Sequence, residues 1–81
     1  MASIIVERIF ASPPSAEDLT AAGIREKPCL QIYGVIWKRS LSGDRLLMVC
    51  EYEAGDAESV RKVQREAGNG FDNAWAAQVI E

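Results

Sequence analysis

The residues richest in chemistry crowd into one stretch, Cys50-Glu51-Tyr52-Glu53, where an apolar run gives way to a charged segment. A thiol, a phenol and two carboxylates in a row suggest a metal ligand set or a nucleophile. Strand alternation divides them: Cys50 and Tyr52 project to one face, Glu51 and Glu53 to the other, so they cannot converge on one ion from a single strand. The chain contains no histidine, which removes the commonest transition-metal ligand and any Cys–His or Ser–His catalytic pair. Two separated cysteines, Cys29 and Cys50, cannot complete a four-ligand zinc site, and "EYEAGDAE" lacks the oxygen-ligand spacing of a calcium loop. Cys50 therefore reads as a small core hydrophobe. As a thiolate it would need a cation beside it, for which Arg8 and Lys38 are the candidates.

Glu7 is the second candidate. It stands between Ile5 and Ile9 in what should be a central strand, where a carboxylate must find a partner. It reads either as an acid or anchor in a pocket or as half of an ion pair with Arg8, Arg39 or a partner subunit. Trp37, Tyr52 and Trp75 could line an apolar pocket with polar tips, or simply pack within strands. "GNGF" at 68–71 follows a helix and precedes a strand. A phosphate-cradling loop would precede a helix, so this is a turn.

The elements that must position these residues follow from periodicity and breakers. "SIIVERIF" (3–10) is a strand with Ile4, Val6, Arg8 and Phe10 on one face and Ile5, Glu7 and Ile9 on the other. "SPPS" breaks it. Ser15 caps a first helix, with Glu17 and Asp18 in its first turn and Leu19, Ala22 and Glu26 turned inward. Pro28 predicts a kink or break before "CLQIY", and Gly34 ends the segment. "VIWKRSL" (35–41) is a second strand, with Val35, Trp37, Arg39 and Leu41 alternating against Ile36, Lys38 and Ser40. A turn at "SGD" leads to "RLLMVCEYEA" (45–54) as the third. Asp56 caps a second helix with a stripe of Val60, Val63 and Ala67 and an i,i+4 pair of Glu58 with Lys62. "NAWAAQVIE" (73–81) is the last strand. The order β-α-β-β-α-β is the split βαβ, or ferredoxin-like, pattern.

The chain has 81 residues, 48% of them apolar, and a net charge of −3, consistent with one globular domain over 1–81. Its acidic balance and scattered Lys and Arg argue against nucleic-acid binding. No apolar run approaches the ~20 residues of a membrane span, and "MASIIVERIF" has no basic n-region or A-x-A site of a signal peptide. The cysteines are then expected to be reduced thiols in the cytoplasm. In this fold two helices cover one face of a four-stranded antiparallel sheet, yet both faces of the first, third and fourth strands carry apolar residues. A second copy is the simplest cover for the other face, so a homodimer with stacked sheets is expected.

"VERIF" at 6–10, "VIWKRSLSGDRLLMVCEYEAGDAESVRK" at 35–62 and the Ala67–Gly68 close of the second helix together resemble the DUF4242 family, small proteins of which some are described as nickel-binding. The resemblance implies a dimeric ferredoxin-like α+β fold and points to Glu7, Trp37, Cys50 and Tyr52 as ligand-binding positions. Family members commonly carry a histidine shortly after the Val60–Arg61 pair; here the residues are Lys62, Val63 and Gln64. The reading that results is a small non-enzymatic protein binding an unidentified ligand, with a metal ion as one option and no cofactor assigned. Two alternatives stand beside it. One is a cofactor-independent monooxygenase or isomerase with Glu7 as general base. The other is a structural or regulatory interaction domain.

Overall fold

The computed structural model describes residues 1–44 and 46–80. Arg45 and Glu81, which begin and end the expected third and fourth strands, lie outside them. The elements run β1 (Ala2–Ile9), α1 (Ala16–Tyr33), β2 (Ile36–Leu41), β3 (Leu47–Ala54), α2 (Ala57–Ala67) and β4 (Asn73–Ala77). All strand pairs are antiparallel, in the order β2-β3-β1-β4. This is the ferredoxin-like α+β fold, a sheet with both helices on one side and an overall thickness of 17 Å. Among the described residues no helix is long and apolar enough to cross a membrane.

Both helices carry the capping their sequences dictate. Ser15 and Asp18 form a reciprocal capping box at the start of α1, and Asp56 accepts from the Ser59 N–H at 2.8 Å at the start of α2. Gly34 and Gly68 close the two helices in left-handed conformation, with φ of 63° and 72°, which a Cβ would strain.

Three sequence expectations need correction. α1 is one helix through Pro28. The ring removes the bond to the Ile24 carbonyl, but Pro28 and Ile24 are both exposed, so water can satisfy that oxygen, while buried Glu26 and Cys29 hold the inward face on either side. β4 stops at Ala77, which pairs with Ser3 beside the start of β1, its neighbour among the described residues, so in this register no residue of β1 stands opposite Val79 or Ile80. Glu58 pairs with Arg61 and Arg65, at 3.4 and 2.8 Å, in place of Lys62.

The core lies between sheet and helices. Ile4 and Val6 of β1, Cys50, Tyr52 and Ala54 of β3, Ala74 of β4, and Val60, Val63 and Ala67 of α2 are buried together. α2 seats its stripe on this surface. α1 packs mainly against α2 and touches the sheet sparsely, and its Ile24 and Ile32 are exposed.

Candidate functional site

Because α1 leans on α2, its stretch from Leu19 to Leu30 roofs a gap over the β2–β3 side of the sheet. The gap is a cavity of about 460 Å³ whose lining includes Leu19, Leu30, Trp37, Met48, Cys50 and Tyr52, with Arg8 and Glu26 as its buried charged groups. The volume falls in the range of small-molecule sites.

A polar network lies between the sheet and the helices, partly within the cavity wall. Tyr52 Oη donates to Glu26 Oε1 at 2.6 Å. Gln64 Nε2 donates to the same oxygen at 2.7 Å and lies 3.1 Å from Tyr52 Oη. Arg8 donates through Nη2 to Gln64 Oε1. The Gln64 amide thus bridges a buried guanidinium and a buried carboxylate, and its orientation is fixed by what each end meets. Burial, reinforced by the Glu26 carboxylate, pushes the Tyr52 phenol far above its ordinary value, so Tyr52 acts as a neutral donor.

At the cavity's edge, Trp37 Nε1 donates to Ser40 Oγ at 3.1 Å, and Ser40 donates to Cys50 Sγ at 2.9 Å. Strict alternation would put Trp37 and Ser40 on opposite faces. A bulge between Trp37 and Arg39 changes this: Trp37 pairs with Tyr52 and Ser40 with Cys50, both on the cavity side. The extra residue lets Lys38 reach Glu53 and Arg39 reach Glu51, at 3.3 and 3.0 Å, on the other side.

Of the four residues expected at a ligand site, Trp37, Cys50 and Tyr52 come together at this cavity. Glu7 does not. It lies on the sheet face turned away from the helices, accepts from Trp75 Nε1 at 2.8 Å, and lines neither of the two cavities under α1. Arg8, Glu26 and Met48 line the cavity and Gln64 supports it; from sequence, Arg8 is named only as a cation near Cys50 or Glu7 and Glu26 only as an inward-facing helix position, and none of the four is placed at a ligand site. Their signal was present: Arg8 follows Ile4 and Val6 on one strand face, Glu26 sits at helical spacing with Leu19, Ala22 and Cys29, and Gln64 interrupts the stripe of α2. Each is a polar residue at a core position, which demands a partner.

The same geometry fits a transition metal poorly. Among the described residues no three His, Cys, Asp or Glu side chains gather. The Glu26 Oε1 already accepts two hydrogen bonds, and the Arg8 guanidinium repels a cation.

No curated protein sequence matches the chain. Among solved structures, the crystal structure of SCO4226 from Streptomyces coelicolor A3(2) superposes with a TM-score of 0.86 over 99% of this chain and 100% of that one, at 16% identity. At that identity the likeness is one of fold. A family model described as "Nickel responsive protein SCO4226-like" matches residues 4–76, a span that reaches from β1 into β4. The chain therefore belongs to the SCO4226-like family of nickel responsive proteins.

Proposed function

We propose that this protein is a small non-enzymatic binding protein whose ligand, an organic molecule with a mostly apolar body, occupies the cavity beneath α1. The observation that carries this reading is the stand-off of α1. A helix that seated fully on the sheet would leave no space, whereas here apolar walls surround a few fixed polar groups. The DUF4242 kinship drawn from the sequence motifs belongs to the same reading, as does a cytoplasmic setting with Cys29 and Cys50 as reduced thiols. The family description speaks of a response to nickel; the donor set of this chain supports a part in that response played without a resident nickel centre. Nor does Glu7 support a general base for a molecule in the cavity, because it lies across the sheet from it.

The open sheet face extends the proposal to a homodimer. Ile9, Ile36, Leu41, Leu47 and Trp75 are exposed, and strand register places all five on that face. Such a patch favours a second copy, with the Lys38–Glu53 and Arg39–Glu51 pairs towards the β2 edge.

The test is a thermal-shift survey of aromatic and aliphatic acids, amines and alcohols, run on the wild type and on Gly23→Leu. Gly23 lines the cavity, and a Cβ there meets nothing within 4 Å, so leucine obstructs the space without disturbing the helix. At least one chemical class should raise the melting temperature of the wild type by mass action and not that of the variant. Equal shifts in both proteins would place binding elsewhere and refute the reading.

A further inference from the structure

Taking the cavity as the binding site, we infer that its ligand carries a carboxylate and that Arg8 is the residue that holds it. Arg8 is 8% exposed, and a cation so deeply placed normally has an anion against it. Here it has none: no carboxylate among the described residues lies within 4.0 Å of the guanidinium. Of the five N–H donors in a guanidinium, one of the two at Nη2 is taken by Gln64, and Nε is buried without an acceptor. Among the described residues the hydrogen-bond partner of the group is a neutral amide, and its side chain lines open space.

That space lies on both sides of it. Arg8 lines the 460 Å³ cavity and also a neighbouring one of about 400 Å³ towards the α2–β4 turn. The formally charged residues around the first are Arg8, Lys27 and Glu26, a sum of +1. Those around the second are Arg8, Arg25 and Asp18, again +1, so in both cavities the excess charge is that of the shared Arg8. The chain as a whole is −3, so both cavities run against its overall sign. Glu26 opposes an entering anion, but its Oε1 is engaged by Tyr52 and Gln64, and the planar guanidinium fork matches a carboxylate better than any neutral oxygen. Leu19, Leu30, Trp37 and Met48 would enclose the rest of the molecule. An apolar carboxylic acid in its ionised form satisfies both halves of the site.

Cinnamate and cinnamamide, which differ in the anion and scarcely in shape, separate this inference from the reading it rests on. Their affinities for the full chain are measured by calorimetric titration at neutral pH, on wild type, Arg8→Lys, Arg8→Gln and Lys27→Ala. Cinnamate should bind at least about tenfold more tightly than cinnamamide to the wild type, the worth of a charge-assisted pair. Arg8→Lys should narrow that preference and Arg8→Gln remove it. Lys27→Ala, at an exposed position on α1, should reduce it less than either. If the Arg8 variants fail to fold, the wild-type preference and Lys27→Ala still decide. Equal binding of the two probes, or tighter binding of the amide, overturns the carboxylate while leaving the cavity as the site. No binding of either probe overturns the carboxylate as well, and the thermal-shift survey then decides whether the cavity binds anything else.

Discussion

Gln64 holds two buried charges that do not touch each other. Its oxygen takes the Arg8 donor and its nitrogen serves Glu26, so a side chain that fills the same volume without the amide leaves a cation and an anion each short of a partner. Gln64→Met should cost about 3 kcal/mol in urea unfolding. Tyr52→Phe removes one donor to Glu26 and should cost about 2 kcal/mol; loss of less than a few tenths in either variant would contradict the network. Much at this scale was legible. Alternation separated Cys50 and Tyr52 from their glutamate neighbours, and of the three aromatics expected at one pocket Trp37 and Tyr52 meet at the cavity while Trp75 lies on the other sheet face. Which of Glu7 and Arg8 faces the helices was not legible, because β1 is apolar on both faces. Alternation shows that the two residues point apart, and only the packing of helices on the Ile4–Val6 side shows which one is enclosed.

At the scale of elements, α1 carries a proline at an exposed interior position. Pro28→Ala restores an N–H for the Ile24 carbonyl, and should stabilise the protein by about 2 kcal/mol after allowing for the freer unfolded chain. Destabilisation would mean that the ring itself is packed. The cap of α2 has a pH signature. Hydrogen bonds from Ser59 hold the Asp56 carboxyl below its ordinary range. Folding thus favours the ionised form, and the contribution is complete above the unfolded value and lost as pH falls through the lower folded one. The melting temperature of the wild type should therefore fall more steeply below about pH 4 than that of Asp56→Asn, which keeps the cap without the titration. Capping residues made both helices readable in sequence. The bulge at Lys38 and the early end of β4 were not, since each depends on the partner strand: one on where Glu51 and Glu53 stand, the other on where β1 begins.

For the whole molecule, the fold was readable from element order alone, whereas the cavity was not. It arises from how α1 leans, a relation between helices that no local pattern encodes. The uncovered sheet face should make the protein a dimer by light scattering at micromolar concentration. Leu47→Lys combined with Trp75→Lys should yield a folded monomer that still binds in the cavity on the opposite side; a wild-type monomer would remove the dimer from the account. Equilibrium dialysis of untagged protein against nickel(II) should show no stoichiometric uptake, because the described residues assemble no set of three ligating groups. The central claim, that the site is under α1 and not on the open face, is tested most directly by mapping backbone amide shifts during titration with cinnamate. The account predicts perturbations concentrated at Gly23, Glu26, Cys50 and Tyr52. Perturbations centred instead on Glu7, Val49 and Trp75 would place the ligand on the open face and contradict it.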